Sequence, residues 1–326
     1  MKKILFLGGA GMIGSAAAAE AVSQGAQVTI VTRAEPRRAV ASGVRALRAD
    51  VRDAAQLRDV LGGEEFDAVV NWVGYVPDDV RDHPALFAGS VGQYVFISTC
   101  SVYARPVPRL PITESSPRRQ PVFGYARDKL ACETLLEEFY RTTDFPLTTV
   151  RAFHTYDRTV IPLLSGWTAI ERMRAGRPVV VHGDGTSLWT LMHSGDFGRA
   201  FFPLLGNDRA VGESINLTSG EILTWDQIHL TLAAAAGVRE PVLRHRSSES
   251  IAEHVPGWGE VLEHDFRHSM LIDTAKLRSL VPGFAPRVSF SDGAREVIAY
   301  HDSDPAHRRI DPKLDQAFDA LLGIEH

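Results

Sequence analysis

At 326 residues, with 44% apolar and 23% charged positions, the chain has the make-up of a globular protein with room for one large domain and an appendage, or for two domains. A formal net charge of −5 argues against a polyanionic partner, because the arginine pairs at 37–38, 118–119 and 308–309 are doublets and not basic stripes. Two cysteines, Cys100 and Cys132, give no disulfide framework, glycines interrupt the N-terminal apolar run before it can form a signal peptide, and no stretch is long enough to span a bilayer, so the cytoplasm is the expected location.

Residues 4–7 form a continuously apolar run of the kind buried on both faces of a parallel sheet. Gly8, Gly9, Gly11 and Gly14 follow, with Met12 and Ile13 between them, and a helix is predicted over 15–22. Strand, glycine loop and helix in this order predict a dinucleotide site. The glycines allow a tight turn and close approach to a pyrophosphate, which sits on the helix N-terminus. A second strand at 27–31 runs into Thr32 and Arg33, with Arg37 and Arg38 behind. An acidic residue there would select NAD through the ribose 2′-hydroxyl, whereas a guanidinium suits a 2′-phosphate, so NADP is favoured over NAD.

A third strand, 44–49, leads to Asp50 and Val51, with Asp50 placed to accept a hydrogen bond from the adenine amino group and Asp53 capping a helix at 54–61. A fourth strand, 67–72, ends at Asn71 and Trp72, expected to face the cofactor. The fifth, 94–98, ends at Thr99, Cys100 and Ser101, and Tyr125-Ala126-Arg127-Asp128-Lys129 then opens a helix. With seven tyrosines and five lysines, about 0.1 chance matches to Tyr-x-x-x-Lys are expected in such a chain. One helical turn apart, Lys129 is expected to stabilise the Tyr125 phenolate and lower its pKa, making Tyr125 a proton-transfer group while Thr99 bonds the same substrate oxygen. Strands alternating with helices imply an α/β fold, a Rossmann-type doubly wound parallel sheet with ligands at the carboxyl ends of its strands.

These motifs together resemble the extended short-chain dehydrogenase/reductase family, the NAD(P)-dependent epimerase/dehydratase type. The match runs through Gly8-x-x-Gly11-x-x-Gly14, Asp50-Val51, Ser98-Thr99, Val102-Tyr103, Tyr125-x-x-x-Lys129 and Gly183-Asp184-Gly185 leading to Asp196. The resemblance implies that Tyr125 is the catalytic acid/base, that Lys129 also holds the nicotinamide ribose, and that such chains pair as homodimers through the helix bearing the motif. Cys100-Ser101 stands where the sugar-nucleotide dehydratases have Asp-Glu, which removes the acid and base of water elimination. Trp189-Thr190 stands where an Arg-Asp pair grips the nucleotide diphosphate. These departures are similar to an atypical branch that includes chloroplast stem-loop RNA-binding proteins and whose members can lose the catalytic motif, which is intact here.

Beyond a sixth strand at 148–153, a helix at 161–175 and a strand at 178–181 are followed by a helix at 195–205, a strand at 214–217 and a helix over 224–236. The expected division is 1–156 plus 189–219 for the dinucleotide and a smaller discontinuous unit, 157–188 plus 220–326, for substrate. Cys100, Ser101, His154, Trp189 and His193 are the candidate substrate contacts. A buried neutral thiol competes with that role for Cys100, and a structural role competes for the histidines and Trp189. His264 and His268 lack a third ligand, so no metal is expected. The reading is an epimerase or reductase working by hydride transfer at a secondary alcohol or ketone of a sugar, nucleotide sugar or related polyol. A non-catalytic cofactor-binding protein that contacts RNA or senses NADP state is the alternative.

Overall fold

Short aliphatic and β-branched runs build a seven-stranded, wholly parallel sheet, in the computed structural model that describes residues 1–35 and 38–324. In chain order the elements are β1 Lys3–Leu7, α1 Met12–Ser23, β2 Gln27–Thr32, β3 Arg45–Arg48, α2 Ala54–Leu61, β4 Ala68–Asn71, α3 His83–Phe87, β5 Tyr94–Thr99, α4 Gly124–Thr142 and β6 Leu147–Ala152. After them come β7 Thr155–Tyr156, α5 Gly166–Arg174, β8 Val179–His182, β9 Leu188–Thr190, β10 Met192–His193, α6 Ser194–Phe201, β11 Ser214–Leu217, β12 Ile222–Thr224, α7 Trp225–Ala235 and β13 Leu243–Arg246. The sheet order β11-β6-β5-β4-β1-β2-β3 reverses direction of growth beside β1, which creates the crevice where doubly wound sheets bind ligands.

Register brings the strand ends to one edge. Leu7 lies opposite both Val31 and Asn71, and Thr99 lies opposite Ala152, so the glycine loop and Thr99 share the carboxyl side of the sheet. On one face α1 and α6 lie close, because Gly14, Ala17, Ala18 and Ala21 present little bulk and a Cβ on Gly198 would come within 2.9 Å of the Ala16 carbonyl. The predicted helix at 195–205 stops as α at Phe201 and tightens into a 3₁₀ turn, Phe202–Leu204, since Pro203 has no N–H to continue the ladder. Asp53 caps α2 as expected, accepting from the Ala55 and Gln56 amides.

The remaining chain forms a smaller layer over that edge. β8 pairs with β13 and β9 with β12, and Trp167, Trp189, Trp225, Phe266, Phe290 and Phe318 share one apolar cluster. Burying each such aromatic stabilises by roughly 1.5–3 kcal/mol. Among the described residues no helix is long and apolar enough to cross a membrane.

Candidate active site

The loop after β1 is shaped by backbone freedom. Gly8 and Gly9 adopt φ of 80° and 87°, which L side chains rarely tolerate, and the Gly8 amide donates to the Val31 carbonyl at 2.9 Å. A Cβ at Gly14 would lie 2.3 Å from the Gly9 carbonyl oxygen, whereas one at Gly11 would meet nothing within 4 Å. The turn is therefore closed where α1 begins and open where a phosphate would approach. Gly11 offers no side-chain cap, and no acidic residue occupies the first turn of α1, so the helix N-terminus is available to an anion. The Trp72 indole N–H, buried without a partner, adds an unused donor beside the loop. These features fit a dinucleotide. Gly14→Ala should remove cofactor binding and cost about 1–3 kcal/mol of stability, measured by dinucleotide titration and thermal unfolding.

Thr32 ends β2, with Arg33 just after it, and Asp50 and Val51 follow the neighbouring end of β3. The Thr32 hydroxyl donates to the Ala34 carbonyl at 2.9 Å. Arg52 donates to both Asp50 oxygens, at 3.1 and 2.8 Å, and these bonds hold the carboxyl down to about 2. Arg33 is 63% exposed and stands 4.0 Å from Asp50. Arg38 is committed elsewhere, to Asp157 and to Thr159 at 2.8 Å, and Arg37 lies outside the described residues. Asn71 does not reach the cleft, contrary to expectation. It is fully buried, its carbonyl accepting from the Val73 and Gly74 amides at 2.9 and 2.8 Å and its amide donating to the Tyr94 hydroxyl at 2.9 Å. Asn71 thus shapes the loop, while Trp72 and Val73 of the same segment, Asn71-Trp72-Val73-Gly74, line the cleft.

A cleft of about 530 Å³ runs from this loop to the smaller layer, and Thr99, Tyr125 and Lys129 all line it. Tyr125 and Lys129 sit on the first turns of α4, facing the end of β5. Lys129 is 3% exposed, and its ammonium donates to the Gly74 and Ile97 carbonyls, both at 2.8 Å. Burial lowers its pKa to about 8. Two of its three protons are spent, and one remains for a ligand hydroxyl. The Tyr125 hydroxyl is hydrogen-bonded to Thr99, and burial of that end pushes the phenol up to about 12, although 44% of the residue is open to the cleft. The expected lowering by Lys129 is therefore corrected. Burial raises the phenol more than Thr99 lowers it, and the Lys129 ammonium is aimed at two carbonyls instead.

The far wall comes from residues distant in sequence. Ser101 donates to Asp265 at 2.8 Å, and Arg105 donates to the other oxygen of that carboxylate at 2.7 Å, both partners being about 95% buried. Asp265 belongs to a π-helical turn, Leu262–Phe266, and lines the cleft with Phe266, Trp189 and His154. Sequence reasoning missed Asp265 and Arg105, since nothing local marks a pair 160 positions apart. The Trp189 indole donates to His154 Nδ1 at 2.9 Å, and burial lowers the imidazole to about 4, so His154 is neutral with its proton on Nε2. Cys100 is corrected as a substrate contact. It is fully buried behind Ser101, its thiol donates to the Arg151 carbonyl at 3.3 Å, and burial pushes its pKa far up. His193 is corrected too, because its Nδ1 caps α6 at Gly195 and its Nε2 stands 3.1 Å from Glu296, away from the cleft lining.

Residues 4–218 match the NAD dependent epimerase/dehydratase family. The chain is 26% identical over 308 residues to the chloroplast stem-loop binding protein of 41 kDa b of Arabidopsis thaliana, covering 90% of this chain and 77% of that one. It is 27% identical over 291 residues to the 2′-dehydrokanamycin reductase of Streptomyces kanamyceticus, covering 87% and 80%. Among solved structures, the UDP-glucuronic acid 4-epimerase of Bacillus cereus in complex with NAD superposes with a TM-score of 0.71 at 20% identity, covering 92% of this chain and 99% of that one, a likeness of fold.

Proposed function

Because the chain belongs to the NAD dependent epimerase/dehydratase family, we propose that it is an oxidoreductase acting on a secondary alcohol or ketone of a sugar or related polyol. The observation that carries this reading is the convergence of Thr99, Tyr125 and Lys129 on a cleft that begins at an open glycine loop. The dinucleotide, when bound, supplies or accepts the hydride. Tyr125 passes the proton to or from the substrate oxygen, Thr99 orients that oxygen through its hydroxyl, and Lys129 offers its remaining proton to a ribose hydroxyl. A phenol held up near 12 is protonated at neutral pH, which suits donation to a ketone that is being reduced. Reduction is placed first and epimerisation second, in keeping with a relative named 2′-dehydrokanamycin reductase. Cofactor retained through gel filtration and no net redox change on turnover would reverse that order.

Arg33 supports a preference for NADP. At the end of β2 it is the exposed guanidinium beside the adenosine end of the groove, with no acidic residue at positions 32–34 to take a ribose hydroxyl. Arg33→Ala should weaken NADP binding by about 10- to 100-fold, the worth of a charge-assisted contact, and leave NAD binding nearly unchanged. Equal losses for both dinucleotides would remove Arg33 from this role.

A further inference from the structure

The substrate end of the cleft has a charge pattern of its own. Lys129 is the one lysine among its lining residues, it is occupied at the nicotinamide end, and no arginine lines the cleft among the described residues. The guanidinium behind the wall, Arg105, is 4% exposed and directed to Asp265 and to the Tyr103 carbonyl at 2.9 Å, its Nε buried without a partner. A diphosphate binds through guanidinium forks or the free N–H groups of a helix start, and the helix start here, that of α1, belongs to the dinucleotide. What the wall does offer is a carboxylate and a neutral imidazole donor, backed by close-packed aromatic rings. Phe153 and Phe266 each pack against Trp189 with ring centroids 4.8 Å apart.

We propose that the site takes a sugar or cyclitol carrying no phosphate, fixed by Asp265 and by the Nε2–H of His154. The assignment rests on the hydride-transfer reading of the same cleft and narrows it. The Asp265 oxygens each accept one bond within the protein, from Ser101 and from Arg105, which leaves lone pairs for a substrate hydroxyl or amine. His154 cannot present an acceptor at Nε2. The Trp189 indole is donor-only, so the proton on the ring is fixed on the other nitrogen, and the matching substrate group is an oxygen acceptor. A ring with hydroxyls or amines along one edge satisfies both groups. A nucleoside diphosphate would bring two negative charges to a wall whose one carboxylate is already matched by Arg105 and which, among the described residues, has no further cation lining it.

The test uses the full chain saturated with NADP. Thermal shift and calorimetry compare a set of phosphate-free mono- and oligosaccharides, aminoglycosides and cyclitols with a matched set of nucleoside-diphosphate sugars. Binding confined to the phosphate-free set, weakened about 10- to 100-fold in Asp265→Asn, is expected. Should Asp265→Asn fail to fold with Arg105 behind it, His154→Phe keeps the aromatic packing and removes the donor, and the same weakening is expected. Tighter binding of any nucleoside-diphosphate sugar, or no binding by the phosphate-free set, overturns the assignment. Nicotinamide turnover separates the two readings. A nucleotide sugar that is bound and turned over ends this assignment and leaves hydride transfer standing. If phosphate-free sugars bind through Asp265 and none of them is oxidised, reduced or epimerised, the ligand class stands and the hydride-transfer reading ends.

Discussion

Tyr125→Phe should lower kcat/KM by about 10²–10⁴, the usual worth of a positioned proton-transfer group, while cofactor affinity changes by less than about fivefold. The ring stays, so its packing against Phe123 at 5.9 Å and the walls of the cleft are kept, and what is lost is the hydroxyl bonded to Thr99. The pH profile gives a second reading of the same group. With the phenol near 12 and Lys129 near 8, the residue that titrates in the working range is Lys129, whose charged form exists below its pKa. Ketone reduction should hold level from mildly acidic pH to about 8 and decline above it as the ammonium is lost. No step is expected between 6 and 7, because His154, lowered to about 4 by burial, is neutral throughout. Steady-state rates across pH, with dinucleotide binding measured alongside, check both statements. A Tyr125→Phe enzyme with unchanged kcat/KM would end the proton-transfer assignment.

What could be read from the sequence was whatever depends on spacing. The glycines from Gly8 to Gly14 and the pair Tyr125 and Lys129 announce themselves because loop closure and helical turn are local constraints, and both lie where spacing places them. The central parallel strands β1, β4 and β5 are legible as runs too apolar for a surface, whereas β3, at the sheet edge, is Arg-Ala-Leu-Arg and largely exposed. The failures are equally specific. Asp265 and Arg105 meet across 160 positions, and Arg38 reaches Asp157 across 119, distances over which pattern carries nothing. His193 did have a local signal that went unused. It stands directly before Ser194-Gly195-Asp196, and a side-chain acceptor just ahead of a helix is a cap before it is a ligand. The Lys129 prediction failed because helical spacing reveals neither the burial of the phenol nor the two carbonyls that take the ammonium.

The helix that carries Tyr125 and Lys129 is itself tied down by a buried charge, and here a large stability effect is expected. Glu133 on α4 is fully buried and accepts from Arg151 of β6 at 3.0 and 2.9 Å and from Arg118 at 2.5 Å. Burial alone would raise the Glu133 carboxyl, but the charge and hydrogen bonds of Arg151 reverse this and hold it below the ordinary glutamate range. Glu133→Ala leaves a guanidinium that is 1% exposed with the Tyr103 hydroxyl at 2.9 Å as its best remaining partner. That should cost about 3–5 kcal/mol and lower Tm by roughly 5–10 °C. The penalty is the stranded charge more than the lost attraction, so Glu133→Leu combined with Arg151→Met should recover most of it. The sign with pH follows from the lowered carboxyl. Its contribution is present above the unfolded glutamate value of about 4.3 and is lost as pH falls through the lower folded value. Wild-type stability should therefore fall more steeply in acid than that of Glu133→Ala, and the two curves should converge. Denaturant unfolding at a series of pH values measures this directly, and parallel curves would show that the pair carries no such linkage.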